Sequence, residues 1–172
     1  MTSTTRPSTN PLTVTAEPGS HSIAMTREFD APPALVLRAW TDPALVAQWL
    51  GPRGYEMIVE TYDAEHGGCY RYIHRDDQGN AFAFRGVFHG TPSVEHGIVQ
   101  TFEWEGAPGE VSLDRLRLED LGGRTRLHAI SVFPSVATRD AMIEHGMEHG
   151  VREGYERLDE VLATLTDAEA VA

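Results

Sequence analysis

The chain has 172 residues, with 26 acids against 14 bases and a formal net charge of −12. Its length suits one domain that buries more than about two-thirds of its unfolded surface, and its charge argues against nucleic acid or an anionic membrane as a partner. A single cysteine, Cys69, excludes an internal disulfide and is expected to be a buried, inert thiol. With no charged-then-apolar leader and no apolar run near the roughly 20 residues of a membrane span, the expected location is the cytoplasm.

Residues 1–18 are rich in Thr, Ser and Pro and poor in apolar groups. They read as a disordered tail before one domain over 19–166, with a short second tail over 167–172. Ile23, Met25 and Phe29 fall at strand spacing between Ser20 and Phe29. Pro32 and Pro33 then suit a first helical turn, and Leu35, Val36, Ala39 and Trp40 follow at helical spacing. Thr41-Asp42-Pro43 breaks and restarts the helix, with Asp42 as N-cap; Leu45, Val46 and Trp49 form the second buried stripe, and Gly51-Pro52 ends it. The prediction is two short helices in a V.

After Pro52 come strands bounded by Gly or Asp: Tyr55–Tyr62, Cys69–Arg75, Ala81–Phe88, Ile98–Trp104, Val111–Leu118 and Arg124–Phe133. Asp76–Asn80 reads as a hairpin loop. Between Val111 and Leu118 the apolar parity slips, from Val111 and Leu113 to Leu116 and Leu118, which predicts a bulge near Asp114 or Arg115. Counting gives about seven strands, six of them consecutive and antiparallel because the links leave no room for crossovers. One long helix is predicted from Thr138 to Leu165, spanning roughly 40 Å, with Met147, Val151, Tyr155, Leu158, Leu162 and Leu165 on the face toward the sheet. Gly146, Gly150 and Gly154 recur beside that face, although each glycine inside a helix costs about 1 kcal/mol relative to Ala. They thin the helix edge, either for a ligand or for close packing.

This order of strand, helical V, antiparallel strands and long final helix is that of the α+β helix-grip fold. The sequence resembles the activator of heat-shock-protein ATPase homologue family of the START-like, or SRPBCC, superfamily. Phe29-Asp-Ala-Pro32, Ala39-Trp-Thr-Asp-Pro43, Gln48-Trp-Leu-Gly-Pro52, Gly67-Gly68, Gly123-Arg-Thr125 and the run from Gly146 to Asp159 carry the resemblance over about 20–165. It implies a cavity between sheet and last helix. Members of the superfamily bind lipids, hormones and polyketides, and a minority catalyse cyclisation, dehydration or hydrolysis. The family name comes from a eukaryotic co-chaperone with a further amino-terminal domain. Where the family often has a basic residue before its Gly-Gly, this chain has Asp63-Ala-Glu-His66, which removes the basis for anion binding at that turn.

The residues mark no reaction. His145 and His149 are four apart, but the helical wheel turns them to solvent and the zincin order is absent, so no metal site is expected. No Gly-x-Ser-x-Gly occurs, and neither a catalytic set nor a cofactor is assigned. Alternation puts Tyr70, Tyr72 and His74 on one face of their strand and Arg71, Ile73 and Arg75 on the other. The tyrosine face is taken as inward, because it matches Phe82 and Phe84 in bulk and its hydroxyls can seek a ligand. The cavity is therefore expected to be lined by Trp49, Met57, Tyr70, Tyr72, His74, Phe82, Phe84, Phe102, Trp104, Met147, Val151 and Tyr155, with Trp49 nearest its mouth. Three functions stay open at this point. One is binding of a small hydrophobic or amphipathic molecule; another is a cyclase, dehydratase or hydrolase using His74 or His128. The third is protein interaction, as homodimer or chaperone partner, through the Gly146, Gly150 and Gly154 edge or an exposed sheet edge.

Overall fold

The computed structural model describes residues 10–171. Strands β1 (Thr13–Thr15) and β2 (Ser22–Phe29) lead into helices α1 (Pro33–Thr41) and α2 (Pro43–Trp49). Six strands follow: β3 (Glu56–Tyr62), β4 (Cys69–Arg75), β5 (Ala81–Val87), β6 (Ile98–Trp104), β7 (Ser112–Asp120) and β8 (Thr125–Val132). Helices α3 (Val136–Glu144) and α4 (Met147–Val171) complete the chain. All eight strands form one antiparallel sheet in the order β1-β2-β8-β7-β6-β5-β4-β3, with α4 against one face: a helix-grip architecture.

Five expectations need correction. Of the tail expected over 1–18, residues 1–9 lie outside the described residues, while Thr13–Thr15 pair with β2 and Leu12 packs on the core. Two apolar side chains suffice to dock that segment, and it supplies the eighth strand. The tail expected over 167–172 is instead helical as far as Val171. The single final helix is two, because Gly146 takes φ +84°, a left-handed conformation that ends α3. Cys69 is exposed rather than buried.

The bulge expected near Asp114 is absent. β7 pairs without interruption from Ser112 to Leu116 against β6 and from Leu113 to Asp120 against β8, and the register shift lies in β3 between Val59 and Thr61. Parity slips in β7 for another reason. Ser112 and Asp114 share the inner face with buried Leu116, while Leu113, 48% exposed, faces out. Polar and apolar residues have exchanged the faces they usually take.

The core sits where the helical V meets α4. Asp42 caps α2 by accepting from the Ala44 N–H at 2.9 Å. Trp49, 2% exposed, donates its indole N–H to the Ala39 carbonyl at 2.9 Å, and Thr125 donates to the Ala31 carbonyl at 2.7 Å. Tyr155 of α4 meets the rings of Phe29, Trp40 and Trp49. One ion pair fastens α4 to β2: buried Arg27 grips Asp159 with two bonds, at 2.6 and 2.5 Å, and lies 4.5 Å over the Phe29 ring. Gly154 lets α4 approach the turn after α2, where an added Cβ would lie 3.4 Å from the Trp49 carbonyl oxygen and the Gly51 nitrogen.

Candidate ligand-binding groove

The inner sheet face has two ends of different character. Near the V it is sealed; over β4 to β7 several of its side chains stay half-buried. Met57, His74, Phe82, Phe84, Gln100, Phe102 and Asp114 all have this intermediate exposure. Rings form a continuous row: Tyr72 stacks on Phe84 at 5.3 Å, Phe84 on Phe102 at 5.5 Å, and His74 meets Phe84 at 5.3 Å. The expected tyrosine face is thus the inner one, while Arg71 on the opposite face pairs with Glu60 and Glu105.

Polar groups cross this apolar surface at one level. Gln100 and Ser131 flank Asp114 in the ladders on either side. The Ser112 hydroxyl donates to the Asp114 carboxylate at 3.0 Å, and Ser131 stands opposite it in the β7–β8 ladder. Burial pushes the Asp114 carboxyl up to about 6, against the downward pull of those two hydroxyls. Tyr70 spans β5 above Gly86 to donate to the Thr101 carbonyl at 2.6 Å, and Gln100 donates to the Tyr70 hydroxyl at 3.4 Å. Only glycine permits that span, since a Cβ on Gly86 would lie 2.5 Å from the Tyr70 hydroxyl. Burial raises the Tyr72 and Tyr155 phenols, and the Asp114 charge adds to the rise. No side-chain hydrogen bond engages either hydroxyl among the described residues.

His74 sits at the edge of the groove under the turn after α2. A Cβ on Gly51 would meet its Nε2 at 2.5 Å, and that nitrogen is buried without a partner among the described residues. Burial lowers its pKa to about 4, so the ring is neutral near pH 7. His128 lies on the outer face, bonded to Glu119 at 2.9 Å, and takes no part in the groove. His145 and His149 are exposed, and no metal-holding cluster of His, Cys, Asp or Glu occurs among the described residues.

The expected lining divides accordingly. Tyr70, Tyr72, His74, Phe84 and Phe102 come together. Phe82 reaches the same face beside Tyr55, at 6.2 Å; Met57 and Val151 pack on the core from its flanks, and Met147 is half-buried as the first residue of α4. Trp49 is a core residue rather than a mouth residue, held by its bond to Ala39. Trp104 is 36% exposed, stands opposite Phe84 in the β5–β6 ladder and folds over Gly106. Tyr155 borders a concavity of about 360 Å³ beside Leu12, Arg27 and Arg152. Gln100, Ser112, Asp114 and Arg27 escaped the sequence reading; the parity slip in β7 was the one trace of them. No helix among the described residues is long and apolar enough to cross a membrane.

Residues 30–163 match the family model described as Activator of Hsp90 ATPase homolog 1-like protein. A solved structure from Arthrobacter aurescens is similar at 30% identity and a TM-score of 0.80, over 88% of this chain and 91% of that one. One from Rhodobacter sphaeroides gives 26% identity and a TM-score of 0.80, over 90% of this chain and 99% of its own. The AHSA1 protein from Silicibacter pomeroyi shares the fold at 20% identity and a TM-score of 0.65, covering 83% of this chain and 98% of that one. Among curated proteins, nothing matches.

Proposed function

The chain belongs to the Activator of Hsp90 ATPase homolog 1-like family, and from that membership we propose that it binds a small amphipathic molecule along the inner face of β4 to β7. The observation that carries this reading is the row Tyr72, Phe84, Phe102, which faces inward yet stays half-buried at its last two members. Apolar surface left accessible inside a fold gains from covering, at about 25 cal/mol per Å². The Gln100 amide and the Asp114 carboxylate supply polar contacts that orient the guest. Among the described residues the groove shows a ring row and a buried carboxylate, and its histidine is neutral and wedged, so binding accounts for more of the geometry than turnover does.

The test is fluorescence titration with the neutral probe N-phenyl-1-naphthylamine. The wild type should bind it saturably; Phe84→Ala should weaken binding, and Met147→Trp should change it by filling the entrance under α4. Both variants binding the probe like the wild type, with circular dichroism unchanged, would remove the groove from consideration.

A further inference from the structure

Among the described residues the groove contains one carboxylate and no cation to answer it. Asp114 is inward on β7, where it accepts from the Ser112 hydroxyl with Ser131 opposite it; among the described residues no basic side chain bonds to it. The nearby bases are engaged elsewhere. Arg27 is held by Asp159, Arg152 pairs with Glu148, and Arg157 donates to the Gly51 and Pro52 carbonyls. Two hydroxyls soften the burial of a carboxylate but do not neutralise it. Around it stand electron-rich faces: Tyr70 and Tyr72 feel its charge, and Phe84 and Phe102 continue the row beside Gln100. A carboxylate among aromatic rings is the chemistry that recognises an ammonium group, through a charge-assisted hydrogen bond and cation–π attraction together.

We propose that the guest of this groove carries a protonated amine, which docks on Asp114 while its apolar part lies along Phe84 and Phe102. The inference rests on the groove being the ligand site and goes further by naming the head group. It separates this chain's preference from that of a fatty-acid carrier: a carboxylate guest meets Asp114 as a like charge, and the net charge of −12 adds to the repulsion.

The experiment is displacement of N-phenyl-1-naphthylamine by decylamine, decanol and decanoate, at about pH 7.5, on full-length wild type, Asp114→Asn and Glu95→Gln. Glu95 is an exposed residue of the β5–β6 link, and its loss removes the same unit of charge away from the groove. Decylamine should displace the probe at concentrations about tenfold or more below those of decanol, the worth of one hydrogen bond to a charged group. Decanoate should be weakest. Asp114→Asn should bring decylamine and decanol within about twofold of each other, whereas Glu95→Gln should keep them apart. Decylamine no better than decanol in the wild type overturns the proposal, and needs no variant to fold. Equal effects of the two substitutions also overturn it, by assigning the preference to net charge. Failure of the probe and all three compounds to bind would instead overturn the groove itself.

Discussion

The two ends of the inner sheet face are built from similar residues and put to different use. At one end Phe29, Trp40, Trp49 and Tyr155 pack edge to face, the Arg27–Asp159 pair fastens α4 to β2, and Gly154 lets the helix touch the turn after α2. At the other end Phe84 and Phe102 stack on each other and remain half-buried, with Asp114 and Gln100 on the neighbouring strands of the same face. An aromatic count does not distinguish them. Packing of the V against α4 makes a core of the first, and the exposure left at Phe84 and Phe102 leaves the second a surface able to take a guest.

That contrast predicts where substitutions register. The largest loss of stability belongs to the closed end: Arg27→Ala strands Asp159 against a buried wall and should cost roughly 3–5 kcal/mol in urea unfolding. Gly51→Ala follows. Its φ of +101° is strained for any side chain and a Cβ would strike the His74 ring, so a loss of about 1–3 kcal/mol is expected. Gly86→Ala, at the seam between the two ends, should cost about 1–3 kcal/mol and sever the Tyr70–Thr101 bond. Phe102→Ala at the open end should cost less than about 1.5 kcal/mol yet weaken probe binding. A stability loss there as large as at Arg27 would erase the distinction between the ends.

The open end should also show itself in the pH dependence of stability. Burial raises the Asp114 carboxyl to about 6, so the native state holds its proton longer than the unfolded chain does. The stability this group contributes is present below the unfolded carboxylate range and is lost as pH rises through about 6. His74 acts oppositely: with its pKa lowered to about 4, it favours the native state above the ordinary imidazole range and loses that contribution as pH falls toward about 4. Asp114→Asn should therefore gain stability relative to wild type between about pH 4 and pH 7, read from urea midpoints across that range. A difference that stays flat with pH would mean the carboxyl is solvated.

Much of this architecture was legible in the chain. Two prolines at helix starts, Asp42 as cap and Gly51-Pro52 as stop are local signals, and they located the V within a residue or two. Alternation put Tyr70, Tyr72 and His74 on the inner face for the same reason: strand geometry is local. What depends on burial was harder to read. Leu113 and Asp114 obey strand periodicity with the faces exchanged, and a reading that sends apolar groups inward explains the exchange as a bulge. Trp49 and Phe102 are equally apolar in sequence; only the position of α4 separates core from groove. Gly146 looked like a continuation of the helix because its break lies in one backbone torsion.

The central claim is that the open end, rather than the outer sheet face with its exposed Leu113, Ile130 and Val132, receives the guest. Amide chemical-shift mapping during titration with N-phenyl-1-naphthylamine tests it directly. The account predicts saturable shifts at Tyr72, His74, Phe84, Gln100 and Phe102 while His128 and Val132 stay in place. Shifts confined to Leu113, Ile130 and Val132, with the ring row unmoved, would contradict it.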